Sequence, residues 1–239
     1  MNSKEKISLI AHSCAAIGVI QTLKALGRYA LRMDIDDSNF DKKFNTNTAA
    51  RILNEDLEMP DPGAQRSATF YLTAPERFIR FLIANLGIDF QEYDFVDIGC
   101  GKGRVLLIAS SYPFRSIRGV ELSKTAYAVA EKNLRIYKSA EQECFDVKLY
   151  SLDARNFEPR IANTVYYFYE PFSYRVLLAV LEKIASRLKG QGKAIKIICV
   201  WGNLTPALPL IEKLGFEMTR NQKMLTDFLN YAVFSLRQN

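Results

Sequence analysis

Apolar residues along this chain recur with two periods that trade places from residue 75 onward. After Pro75 the positions Phe78, Phe81, Leu82 and Leu86 fall at helical spacing, and Gly87 stops that helix. Short apolar runs of strand length then alternate with longer amphipathic stretches. The pattern predicts strands at Phe95–Ile98, Arg118–Glu121, Asp146–Ser151, Thr164–Tyr169 and Ala194–Trp201, with helices running to Ser111, over Ser123–Lys138 and over Tyr174–Leu188. Such alternation specifies a parallel sheet with helices on both faces. A short helix from Pro206 to Leu214 leads to Gly215-Phe216-Glu217-Met218, a polar turn, and a last alternating strand, Asn230–Leu236. The loop joining these two strands is too short for a crossover helix, so they pair antiparallel. The expected fold is therefore α/β: a doubly wound, mostly parallel seven-stranded sheet with an antiparallel C-terminal hairpin and an N-terminal helical extension.

The N-terminal quarter follows different rules. Ser8–Arg32 reads as helix, and Asp34–Ala64 is polar, acid-rich and punctuated by Pro60, Pro62 and Gly63, which reads as a connecting arm rather than a core element. This divides the chain into an extension, 1–64, and a main domain, 65–239. Ile7–Ile20 is mostly apolar behind Lys4 and Lys6, but it lacks a small-residue cleavage site and is too short to span a bilayer. The reading taken is a helix docked on the domain; peripheral membrane contact through residues 7–28 is the alternative. His12 within it reads as a packing or surface residue. At 239 residues and 49% hydrophobic composition the chain can bury one sizeable core. The net charge of +6 is spread among 26 acids with no run of five or six like charges, which favours a solvated mixed surface over a nucleic-acid face. Cys14, Cys100, Cys144 and Cys199 have no C-x-x-C spacing and His12 is the single histidine, so neither a disulfide framework nor a metal site is expected. That usage fits a reducing, cytoplasmic setting.

Chemistry concentrates where the first strand ends. Asp97-Ile98-Gly99-Cys100-Gly101-Lys102-Gly103 places glycine at every second position of a turn between a buried strand and a helix, leaving room for backbone amides to approach a ligand. A dinucleotide turn needs G-x-G-x-x-G, but the sixth residue from Gly99 is Arg104 and from Gly101 is Leu106. What remains, D-x-G-x-G-x-G, is the S-adenosylmethionine turn, which needs no pyrophosphate cradle. Three acids stand at the ends of the first three strands. Asp97 would organise the loop and the amino-acid end of such a ligand. Glu121, eighteen residues beyond Gly103, can accept both ribose hydroxyls, and Asp153, with Ala154 behind it, can accept from the adenine amine. One acid at a strand end is ordinarily a helix cap. Three in register with a glycine turn read as a ligand constellation.

Across Tyr71–Leu236 the chain resembles the class I, seven-stranded S-adenosylmethionine-dependent methyltransferases, with Asp97–Arg104 the specific part. Phe40-Asp41-Lys42-Lys43-Phe44, Tyr71-Leu72-Thr73-Ala74-Pro75 and Tyr169-Glu170-Pro171-Phe172 are similar to segments of a group of largely uncharacterised bacterial methyltransferases. That group commonly has Asn-Pro-Phe where this chain has Glu170-Pro171-Phe172. The resemblance implies S-adenosylmethionine as cofactor, held by Asp97, Gly99, Cys100, Gly101, Gly103, Glu121, Leu122, Asp153 and Ala154, with Tyr71 and Thr73 closing over the methionine moiety. It also implies that Tyr169, Glu170, Pro171, Phe172 and Tyr174 lie beside the methyl group, with Glu170, Tyr169 and Phe172 the catalytic candidates. Glu170 either hydrogen-bonds an attacking amine or caps the following helix. A protein side chain or a small molecule is the expected acceptor. Nucleic acid ranks below both, because the double-proline motif of base-amine methylation is missing. The rival reading is a regulatory module that binds the cofactor without turnover.

Overall fold

The structure, a computed structural model, describes residues 11, 14, 15, 18, 19, 38–49, 58–59, 73–224 and 229–238. Most of the helix expected over Ser8–Arg32, together with His12 and Tyr71, lies outside the described residues. Seven strands form one sheet: β1 (Asp94–Ile98), β2 (Ser116–Glu121), β3 (Val147–Ser151), β4 (Thr164–Tyr169), β5 (Ile195–Val200), β6 (Phe216–Gln222) and β7 (Tyr231–Leu236). Their spatial order is β3-β2-β1-β4-β5-β7-β6. The first five run parallel, and β7 is antiparallel to both β5 and β6. This is the mostly parallel sheet with a C-terminal antiparallel hairpin that the pattern predicts.

Alternate side chains of each central strand feed two separate cores. Phe95, Val165, Tyr167 and Ile198 enter one, and Val96, Ile98, Tyr166, Phe168 and Ile197 the other, as the two-residue period of a strand covered on both faces requires. Helices α2 (Glu76–Ala84) and α3 (Arg104–Ala109) seal the first core through Phe78, Leu82 and Leu106. On the opposite face, α5 (Tyr174–Leu188) and α6 (Leu208–Lys213) bury Leu177, Leu181, Ile184 and Ile211. Helix α4 (Lys124–Ile136) follows β2, with Ser123 as N-cap accepting from Ala126 N at 3.2 Å.

Two expectations need correction. The polar residues after Met218 were expected as a turn, yet β6 continues to Gln222. It is an edge strand, where polar side chains face water at little cost, and an irregularity between Met218 and Arg220 resets its alternation. More consequentially, the stretch read as a connecting arm contains α1 (Ser38–Phe44), whose Phe40 and Phe44 are buried in the first core against Tyr137. Burying each ring stabilises this docking by about 1.5–3 kcal/mol. Residues 38–49 are thus part of the folded unit.

Candidate functional site

Where β1 ends, the chain enters the glycine turn, and its amides point inward. Gly99 N and Cys100 N both donate to Val120 O, at 2.8 and 3.0 Å; Gly101 N donates to Glu121 Oε2 at 2.8 Å, and Gly103 N to Cys100 O at 2.9 Å. These four amides are bonded within the fold. The parallel neighbour β2 brings the Val120 carbonyl and its terminal carboxylate level with the turn, and they take the amides of Gly99, Cys100 and Gly101. At Gly99 the missing side chain allows close packing. Gly99 has φ +80°, and a Cβ on it would lie 2.2 Å from Pro171 Cβ, so the turn and the segment after β4 touch through the missing side chain. Cys100, expected at the cofactor, has its thiol in the core over Gly119, and burial pushes its pKa well up.

The three strand-end acids have different surroundings. Glu121 receives Gly101 N on one oxygen and Ser123 N on the other, each at 2.8 Å, and the Leu122 amide bonds to the same carboxylate. Burial raises its pKa, opposed by those amide bonds. Asp97 is 2% exposed and its Oδ2 has no hydrogen-bond partner among the described residues. Burial, with the charge of Glu121 added, pushes its pKa well above the usual carboxylate range. Directly across the β1–β4 register stands Tyr167, whose buried hydroxyl likewise has no partner. Two neighbouring unsatisfied groups of this kind make a cationic or hydrogen-bonding ligand favourable here. Asp153 caps the one-turn helix Ala154–Asn156 and is clasped by Arg155 through Nε and Nη2, the latter at 2.6 Å, which holds its pKa low. Ala154 is buried, Leu122 is half-buried beside the Ser123 cap, and the Thr73 hydroxyl donates to Ala74 O at 3.4 Å.

Beyond β4 the expected segment forms the other half of the site. Glu170 adopts a left-handed φ of 38°, rare for a residue with a side chain, and its Oε2 accepts from Gly202 N at 3.3 Å. The N-cap position of α5 is Ser173, and the Glu170 carboxylate reaches across to the loop after β5. Half-burial raises the Glu170 pKa. Phe172 sits edge-on to Phe168 at 6.3 Å and packs toward the second core, while Tyr169 packs toward the first. Tyr174 stacks on Trp201 at 5.5 Å, and its hydroxyl donates to Asn203 O. Beside Gly202 opens a cavity of ≈ 60 Å³ lined by Trp201, Asn203, Thr205, Lys223 and Asn230 among others. Sequence reasoning missed Trp201 as a wall of the site; an aromatic closing a buried parallel strand was its only signal.

It also missed a polar network behind the turn. Arg104, 1% exposed, donates from Nε to Thr48 Oγ1 at 2.6 Å, and Lys102 Nζ donates to Asn47 Oδ1 at 3.2 Å. Two cations inside an apolar helix start, where burial demands partners, were the available signal. Among the described residues no cluster of His, Cys, Asp and Glu could hold a metal, and no helix is long and apolar enough to cross a membrane.

No family model matches the chain. It is 26% identical over 131 residues to a ribosomal protein L11 methyltransferase of Desulforapulum autotrophicum, a match that takes in 53% of this chain and 40% of that relative's length. Among solved structures it is similar to a precorrin-6y C5,15-methyltransferase of Geobacter metallireducens, with TM-score 0.50 and 16% identity over 80% of this chain and 99% of the other. A ribosomal protein L11 methylase of Lactobacillus delbrueckii subsp. bulgaricus gives TM-score 0.49 and 14% identity, over 73% and 81% of the two chains. The fold is the Rossmann-like fold of the class I methyltransferases.

Proposed function

We propose that this chain, which has the class I methyltransferase fold, binds S-adenosylmethionine over the carboxyl ends of β1 and β2 and transfers its methyl group to an acceptor seated against β4 and β5. The observation that carries this reading is Asp97, a buried carboxylate with an unsatisfied oxygen immediately before the glycine turn. An ammonium from the methionine end of the cofactor would satisfy it, with the Tyr167 hydroxyl adjacent. Glu121 faces the ribose and accepts from its hydroxyls. Leu122 and Ala154 border the adenine, with Asp153 at its edge. The bound cofactor supplies an electrophilic methyl on a sulfonium, and the protein's contribution is positioning and exclusion of water, which can account for about 7–11 kcal/mol of such a barrier.

The acceptor side favours an amine on a protein side chain or a small molecule. Glu170, raised in pKa by burial and fixed by Gly202 N, can take up the proton that an attacking amine must lose. The Tyr174–Trp201 stack and the adjoining cavity give the acceptor one flat wall and one polar one. Four unpaired cysteines support the cytoplasm as the compartment.

Calorimetry tests the cofactor first: S-adenosylmethionine and S-adenosylhomocysteine should bind, and NAD should not. Proton linkage tests Asp97 specifically. In the free protein Asp97 stays protonated above the usual carboxylate range, and an ammonium beside it favours the ionised form, so its pKa falls on binding. Binding must therefore release a proton, and affinity must rise with pH between the bound and free pKa values and level off above the free one. Enthalpies measured in buffers of different ionisation heat report that release. Proton uptake, or none, would remove Asp97 as the ammonium's partner.

For Glu170 the expectation is catalytic. Glu170→Gln should lower the single-turnover rate about 10²-fold while S-adenosylhomocysteine affinity holds within about twofold, because the lost interaction belongs to the transition state. A parent-like rate would strike Glu170 from the mechanism.

A further inference from the structure

Residues 38–49 do more than dock. The Asp41 carboxylate accepts four hydrogen bonds, from the Thr46 and Thr48 hydroxyls at 2.7 and 2.6 Å and from the backbone amides of Thr48 and Ala49, each at 2.7 Å. These bonds fold 46–49 into a tight loop and, against the cost of burial, hold the Asp41 pKa low. Thr48, fully buried, passes the connection on: its hydroxyl donates to Asp41 and accepts from Arg104 Nε at 2.6 Å. The Arg104 guanidinium also faces Asp41 Oδ1 at 3.8 Å and lies over the Phe40 ring, 5.0 Å from its centre. A second strand of contacts runs in parallel. Asn133 of α4 receives Asn47 N and donates to Asn47 O and to Lys102 O, at 2.9, 3.1 and 2.9 Å, and Lys102 Nζ reaches Asn47 Oδ1.

Lys102 and Arg104, on either side of Gly103, are therefore tied to this N-terminal segment by their side chains, and the Lys102 carbonyl is tied to it through Asn133. The turn needs such ties. Gly101 and Gly103 both have positive φ, and glycine backbones of this kind are the costliest to hold in one shape. We propose that Asp41 and Thr48 are positioning residues for the cofactor site, acting through Arg104 and Lys102 to keep the glycine turn in its binding shape, so that 38–49 is an integral part of that site. The proposal rests on the reading of the turn as the S-adenosylmethionine site.

The test uses the full chain and S-adenosylhomocysteine as probe, with affinity measured by calorimetry well below each variant's melting midpoint. Thr48→Val, nearly isosteric but unable to bridge, and Asp41→Asn, which turns an amide donor toward four donors, should each weaken binding about tenfold or more. Thr48→Ser keeps the hydroxyl and should bind like the parent. Phe234→Leu, a core change in β7 remote from the turn, supplies a destabilised control that should also bind like the parent. If Asp41→Asn does not fold, Thr48→Val decides. Parent-like affinity in Thr48→Val overturns the positioning role while leaving the cofactor reading intact. Failure of the parent itself to bind the probe overturns the cofactor reading, and the positioning role falls with it.

Discussion

Glu121→Ala is expected to cost the protein about 2–4 kcal/mol of stability, as well as cofactor affinity. Its carboxylate is the acceptor for Gly101 N and Ser123 N, and removal leaves both amides buried without a partner, at about 1–3 kcal/mol each. Relief of the burial penalty on the carboxylate itself offsets part of that sum. S-adenosylhomocysteine should bind more weakly by about 1.5–3 kcal/mol, the range for hydrogen bonds to a charged group. Glu121→Gln is the informative companion. Its single oxygen can serve one amide, while its NH₂ opposes the other, so its stability should fall between parent and Ala. Urea unfolding and calorimetry on the same samples separate the two effects. A Glu121→Ala protein as stable as the parent would mean that the turn finds its acceptors elsewhere.

A comparable loss is expected from one added methyl group. Gly99→Ala places a Cβ 2.2 Å from Pro171 Cβ and forces a side chain into φ +80°. The backbone contribution is about 1–2 kcal/mol and the overpacking contribution about 1–3 kcal/mol, so unfolding free energy should drop by about 2–5 kcal/mol. The two contributions can be told apart. In Gly99→Ala combined with Pro171→Gly the obstructing carbon is gone, and only the backbone part of the Gly99→Ala cost should remain. A double-mutant cycle must then show coupling of at least about 1 kcal/mol. Strict additivity would mean that Pro171 is not what keeps position 99 bare.

The strand order and the glycine turn were legible because each leaves a local signature. Alternation of apolar runs with 3.6-residue patterns is visible in any short window, and D-x-G-x-G-x-G is contiguous. The function of the turn's parts was less so. Gly99 is legible as part of the turn, but its close approach to Pro171, far along the chain, is not. Asp153 and Glu170 stood at the positions expected, but neighbours chosen by the fold, Arg155 and Gly202, set what they touch. Residues 38–49 were misread for a physical reason. Asp41 bonds within its own loop, and Thr48 meets Arg104 across 56 positions, so neither link has a period to detect. A polar, proline-flanked stretch reads as a linker until its buried partners are known.

The place of β7 between β5 and β6 sets the order in which the nascent chain can complete the molecule. Until β7 is synthesised, β6 has no strand to pair with and the flank of β5 is open, although both precede it in the chain. The loop beyond β5 waits as well, because Trp201 N donates to Asn230 O and Asn230 Nδ2 to Gly202 O. The glycine-turn half of the cleft can thus assemble early, on the ribosome, while the wall formed by Trp201 and Gly202 closes only once translation has passed Leu236.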